Sequence, residues 1–138
     1  MIADKYVKQD LRESWSTVLS TKEMVKANIV WAFAGGGYTS KQFRDLSFNL
    51  TLLFGFSVVE RALTQMRDEG KFNSASSQLS TLMEKSKNKI PWINYDLIDE
   101  ARNIRNDIAH KQQWIEQSEC FRYLDGIEME LINWGVLK

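Results

Sequence analysis

A near absence of helix-breaking residues is the feature that most restricts what this chain can fold into. One proline and seven glycines occur among its 138 residues, so long stretches run without a break. Within those stretches apolar residues recur three and four positions apart, which is the spacing of one face of an α-helix. We therefore predict an all-α fold, an antiparallel bundle of four or five helices.

Turn and cap residues divide the sequence into segments. The N-terminal segment, 1–37, is predicted to be helical, with Ser20 as a possible cap within it and the glycine run 35–37 as its end. Segment 38–138 is predicted to form the core bundle. We expect Gly70 to close its first helix and Asn94 to cap its third. Its four helices are predicted at about 41–69, 78–84, 94–110 and from 118 onwards. The chain is short enough to be a single domain.

Charge and composition narrow the classes of function. The chain has 18 basic residues (lysine plus arginine) and 18 acidic residues (aspartate plus glutamate). Its net charge therefore creates no overall electrostatic attraction for nucleic acid. Any phosphate binding must come from a local cluster of positive groups. The single cysteine, Cys120, cannot form an internal disulfide and suits a reducing compartment. The N-terminus lacks the apolar stretch of a signal peptide, and no apolar run reaches membrane-spanning length. We therefore expect a cytoplasmic protein without a membrane partner.

The segment from residue 97 to residue 110 carries the only histidine of the chain. On a helical wheel the predicted core side consists of Leu97, Ala101, Ile104 and Ile108. The opposite, polar stripe consists of Asp99, Arg102, Asn106 and His110. Arg105 lies off that stripe, about 140° from His110. The two side chains meet only if the arginine wraps around the helix or a second copy supplies the partner across a two-fold axis.

Three sequence patterns resemble those of the HEPN family. Residues 105–110, Arg-Asn-Asp-Ile-Ala-His, are similar to its Arg-x4–6-His signature. Residues 59–63, Val-Glu-Arg-Ala-Leu, resemble its second-helix pattern, and the spacing of Leu124 and Ile127 fits its closing helix. The resemblance covers most of the chain after about residue 41. It implies a helical homodimer in which two motifs face one cleft, and metal-independent cleavage of RNA in active members.

The resemblance also implies roles for individual residues. His110 would exchange protons near neutral pH, and Arg105 would hold phosphate oxygens and stabilise developing negative charge. Asn106 would orient either group or donate to the phosphate. Arg102 and Asp107 are candidate substrate-binding residues, although Asp107 could equally form a surface ion pair. Attack by the 2′-OH of RNA would leave a 2′,3′-cyclic phosphate, so DNA should be inert. We expect neither a metal nor another cofactor.

Other interpretations stay open at this point. A non-catalytic HEPN dimer could bind RNA, a nucleotide or a partner protein, and a purely structural bundle is a third possibility. The catalytic interpretation suggests a setting in defence, stress response or a toxin–antitoxin system, with an antitoxin or other regulatory protein as partner.

One charged residue in the predicted core helix also needs a partner. Glu60 interrupts an apolar helix and is expected to pair with a cation, either Arg61 or Arg105.

Overall fold

The fold is known from a computed structural model, which describes residues 1–26, 40–111 and 115–137. The described residues form five helices and no strand. In chain order these are α1 (Lys5–Lys26), α2 (Ser40–Asp68), α3 (Leu79–Ser86), α4 (Tyr95–Lys111) and α5 (Gln117–Asn133). The prediction of an all-α fold is confirmed. The glycine run 35–37, which was predicted to end the N-terminal segment, lies outside the described residues.

The helix ends follow local sequence signals, with one exception. α2 ends two residues before Gly70, whose φ of 82° is the left-handed conformation that glycine adopts without strain. The Asn94 side chain accepts the N–H of Leu97 at 3.2 Å, which confirms the predicted cap of α4. The predicted cap at Ser20 is wrong. α1 continues through it because Val18 and Val25, one heptad apart, are both buried on the same side.

α1 packs against α2 in the opposite direction. The Glu69 carboxylate at the end of α2 accepts the N–H groups of Ala3 and Asp4, at 2.7 and 3.1 Å. Further along, Arg61 of α2 donates to Asp10 of α1. The apolar side of α1 belongs to the same core as the later helices, through the buried residues Leu11, Trp15, Val18 and Val25. Residues 1–26 and the later helices therefore share one hydrophobic core.

α2 is the central helix and contacts each of the other four. Its Gly55 lies so close to α5 that an added Cβ would stand 2.9 Å from Cδ2 of Leu124, so the leucine side chain would have to shift to admit a larger residue here. The expectation that no apolar run reaches membrane-spanning length is wrong for residues 46–68, which are long and apolar enough to cross a membrane, judged by length and composition alone. However, 56% of the most apolar window is buried among the other helices, as in the core helix of a soluble protein.

α4, the helix that carries the motif, is fixed at both ends. At its start the buried Glu130 of α5 accepts the N–H groups of Ile93 and Asn94, each at 2.8 Å. Beyond its end, the N–H of Ile115 donates to Asn49 of α2 at 3.0 Å. Because Arg105 contacts Glu60 further along α2, α4 runs antiparallel to α2. The chain beyond α4, at Ile115, therefore lies beside the N-terminal half of α2.

Candidate functional site

An open, polar cleft lies where α4 and the first turn of α3 meet the middle of α2. It has a volume of about 420 Å³. Three of the five predicted site residues line it, namely Arg102, Arg105 and Asn106. The other lining residues are Glu60, Gln78, Leu79 and Ser80. The structure thus gathers two guanidinium groups and an amide from a single helix at the edge of one cavity.

Arg105 is directed towards α2 by the packing of α4. Ile98, one heptad earlier and on almost the same side of the helix, is fully buried. The long arginine side chain follows this line until its Nη2 lies 4.0 Å from Oε2 of Glu60. Both side chains remain about one third exposed, at 30% and 37%. Of the two cations predicted as partners for Glu60, the structure selects Arg105, because Arg61 turns to Asp10 and Ser14 instead.

The predicted polar stripe of α4 needs a correction. Arg102 was placed opposite the core, yet its side chain is only 17% exposed and donates twice to Oδ1 of Asp99, at 2.9 and 3.1 Å. The core side is rotated from the predicted arc towards Ile98, which is fully buried, whereas Ile104 is only partly buried. A helical wheel describes one helix in isolation. It therefore could not show that the first turn of α3 lies across the cleft from Arg102.

The remaining motif residues are placed differently. The Asn106 side chain makes no hydrogen bond to the described residues, so its amide is available to a ligand in the cleft. Asp107 is partly buried and does not line the cleft. The backbone of His110 belongs to the last turn of α4, but its side chain lies outside the described residues.

The first turn of α3 adds positive potential that the sequence did not reveal. Gln78 occupies the N-cap position with no side-chain hydrogen bond to the helix, and no acidic residue lies in the first turn. The first N–H groups of a helix lack partners within it, and this end of the helix dipole is positive. Asp99 and Glu60 partly neutralise Arg102 and Arg105, and this terminus adds a positive end that has no acidic residue in its first turn. The cleft is suited to an anion such as phosphate.

Two other kinds of chemistry receive no support from the described part of the chain. No group of three or more histidine, cysteine, aspartate or glutamate side chains is placed there to hold a metal ion. Burial raises the pKa of the Cys120 thiol to about 12, despite the opposing influence of Lys22. The thiol therefore stays protonated at neutral pH and is a poor nucleophile.

Comparisons with protein-family models, with curated proteins and with solved structures find no match to this chain.

Proposed function

We propose that this protein is a metal-independent endoribonuclease with a HEPN-type antiparallel helical bundle, active as a cytoplasmic homodimer. Its composite site would use Arg105, Asn106 and His110, with contributions from both copies. One observation carries the proposal. Two arginines and an unpartnered amide from the motif helix line the same open cleft, which also includes the N-terminus of α3. This combination of groups suits the phosphodiester of an RNA strand.

The chemistry needs few groups because RNA carries its own nucleophile. Arg105 holds the non-bridging phosphate oxygens and stabilises the charge that they gain as phosphorus becomes five-coordinate. His110 accepts the proton of the 2′-OH, whose oxygen bonds to phosphorus. The bond to the 5′ oxygen then breaks, and that oxygen takes up a proton. The products are a 2′,3′-cyclic phosphate and a free 5′-OH. Arg102, which donates to Asp99 and lines the same cleft, would bind a neighbouring phosphate.

A short RNA oligonucleotide tests this proposal when its products are weighed by mass spectrometry. The expected 5′ fragment is lighter by one water than a linear phosphate, and cleavage persists in EDTA. The same strand with a single 2′-deoxynucleotide at the cut position is the control and should stay intact. Cleavage of that control strand, or a linear phosphate as the first product, would contradict the proposed mechanism.

Mixing two inactive variants tests whether the site is composite. If Arg105 of one copy acts with His110 of the other, a dimer of Arg105→Ala with His110→Ala retains one intact site. A random mixture contains half such dimers, so about one quarter of wild-type activity should return. No recovery after confirmed subunit exchange would show that the two residues act within one copy.

Two observations favour a second candidate, a non-catalytic dimer that binds RNA, a nucleotide or a partner protein. The cleft volume of about 420 Å³ falls within the range of small-ligand sites, and Glu60 partly neutralises Arg105 inside it. A mononucleotide that binds and protects the cleft, with RNA left uncut from pH 5 to pH 9, would favour this candidate.

The catalytic proposal, by contrast, assigns the protein to defence, stress response or a toxin–antitoxin system, where an antitoxin or other regulatory protein would restrain it.

A further inference from the structure

A cluster of lysines lies at the end of α3, outside the cleft. We refer to residues 85–89 as the basic turn, and its charge comes from Lys85, Lys87 and Lys89. All three lysines are exposed, and none of them forms an ion pair within the described part of the chain. Carboxylates partly neutralise the two arginines of the cleft, whereas these ammonium groups keep their charge for an anion.

Local contacts hold the basic turn in a defined position. The carbonyl of the buried Ser86 accepts the N–H of Lys89 at 3.0 Å. The Lys87 ammonium lies 4.8 Å from the centre of the Tyr95 ring, which is a cation–π contact. Trp92 packs edge-on against the same ring, with 5.0 Å between the ring centres. The charge of Lys87 is therefore held beside the start of α4.

The side of α4 that begins at Tyr95 ends in the cleft. At 100° per residue, positions 95, 99, 102 and 106 fall within an arc of about 60°. Burial raises the pKa of the Tyr95 hydroxyl, and the charges of Asp99 and Arg102 also act on it. Arg102 and Asn106 line the cleft. The basic turn and the cleft therefore lie at the two ends of one side of α4, about 16 Å apart along the helix.

α3 runs along this side of α4 in the opposite direction. Its first turn, with Gln78 and Ser80, borders the cleft. Near its other end the charge of Glu84 acts on the Tyr95 hydroxyl. Glu84 and Asp96 flank the basic turn in sequence, but the three lysines outnumber these two carboxylates. Two positive regions are thus present on the same side of the molecule, one at each end of α3.

We propose that an RNA strand bound in the cleft continues along this side of α4 and places a phosphate against Lys87, so that the basic turn is a second contact for the substrate. This inference rests on the proposed function, which assigns RNA to the cleft. Two separated positive regions favour a polyanion over a single nucleotide. A stacked strand rises about 3.4 Å per nucleotide, so about five nucleotides cover the distance.

The chemistry of lysine determines what this second contact does. A lysine ammonium acts on phosphate as a point charge and does not distinguish one base from another. The basic turn therefore increases the affinity for long strands of any sequence, while the reacting phosphate stays in the cleft. A strand too short to reach Lys87 gains nothing from it.

Two strands of different length, both made of 2′-O-methyl RNA so that the 2′ oxygen cannot attack, test this inference by fluorescence anisotropy. A trinucleotide reaches only the cleft, and a strand of about twelve nucleotides also reaches the basic turn. Lys87→Gln should weaken binding of the longer strand about five- to tenfold at about 50 mM salt. The slope of log affinity against log salt should fall by about 0.7. Binding of the trinucleotide should stay the same.

Lys5→Gln is the matched control. Lys5 makes the same kind of contact on α1, where its ammonium lies 5.4 Å from the centre of the Tyr6 ring, and it does not line the cleft. The substitution changes the net charge equally and should leave the binding of both strands unchanged. An equal loss in both variants would overturn the inference, because only the overall charge would then matter.

The other outcomes separate this inference from the proposed function. If Lys87→Gln binds the longer strand as well as wild type does, or weakens both strands equally, the inference is overturned even where unmodified RNA is cut. If unmodified RNA stays uncut but the length-dependent loss occurs, the second contact stands and the ribonuclease proposal fails. A protein that binds polyglutamate through Lys87 and neither strand would overturn the inference and assign the basic turn to an acidic protein partner.

Discussion

The motif helix α4 carries charged groups in two regions whose polar contacts differ sharply. In the seam between α4 and α5, Arg122 lies 2.6 Å from Glu100 and 3.0 Å from Glu119, and the Tyr123 hydroxyl donates to Glu100 at 2.7 Å. In the cleft, by contrast, Arg105 reaches Glu60 only at 4.0 Å. A guanidinium that lies against two carboxylates is neutralised and attracts an anion weakly. One that faces a single carboxylate at 4.0 Å keeps more of its charge for a ligand.

The protonation behaviour of the seam agrees with a structural role. Hydrogen bonds from Tyr123 and Arg122 lower the pKa of Glu100. Desolvation, followed by the hydrogen bond to Glu100, raises the pKa of the Tyr123 hydroxyl. Around neutral pH the carboxylate therefore stays charged and the phenol stays neutral, so the seam is fixed in one state. We therefore expect ligand binding in the cleft, whereas the seam should contribute to the stability of the fold.

The largest expected effect separates the two regions by activity. Arg105→Ala should lower RNA cleavage by a factor of about 10² to 10³, because it removes a group that stabilises the transition state. Its melting temperature should change little, since an exposed ion pair is worth at most about 1 kcal/mol. Arg122→Ala, in the seam, is the matched control and should cleave normally. An equal loss of cleavage in both variants would remove the distinction between cleft and seam.

The second prediction concerns stability. Glu130 is 1% exposed and accepts two backbone N–H groups before α4. Glu130→Ala removes the acceptor of both partly buried hydrogen bonds and empties a buried position, which should reduce the free energy of unfolding by about 1 to 3 kcal/mol. Urea denaturation measures this loss. Glu128→Ala, at a partly exposed position on the same helix, is the control. A Glu130 variant as stable as this control would show that the start of α4 is held by other contacts.

Local chemistry explains why the all-α character and several helix ends could be predicted. A glycine after α2 and an asparagine before α4 fix helix ends through the backbone of their own neighbours. The failure at Ser20 has the opposite cause. Its hydroxyl offers a cap, but the burial of Val18 and Val25 against other helices favours an unbroken α1. Tertiary packing overrides a weak local signal.

The candidate site was predictable only in part, for the same reason. The Glu60–Arg105 pair could be anticipated, because a carboxylate in an apolar helix needs a cation. The wall made by Gln78 and Ser80 could not, since the position of α3 depends on contacts between segments far apart in sequence. The covered position of Arg102 was missed for that reason too.

The third prediction has the opposite sign to the first. Glu60→Gln removes the negative charge of the cleft while keeping the shape of the side chain. RNA should bind about fivefold more tightly at low salt, equivalent to about 1 kcal/mol, and its affinity should fall more steeply with added salt. Fluorescence anisotropy with labelled RNA measures both. Glu119→Gln, in the seam, changes the net charge equally and should leave binding unchanged. Equal gains in both variants would mean that only the overall charge matters.

The smallest expected effect is the pH dependence of the stability that the seam contributes. The folded pKa of Glu100 is lowered, so its contribution to stability is present above the unfolded value of about 4.3 and is lost as the pH falls through the folded value. Glu100→Gln should therefore unfold at slightly lower urea than wild type at pH 7, and the difference should shrink as the pH falls below the unfolded value. Cleavage at pH 7 should be unchanged in this variant, because the seam binds no substrate. If the two proteins instead differed more at pH 3 than at pH 7, the carboxylate would not be the charged acceptor of this network, and its bonds to Tyr123 and Arg122 would need another explanation.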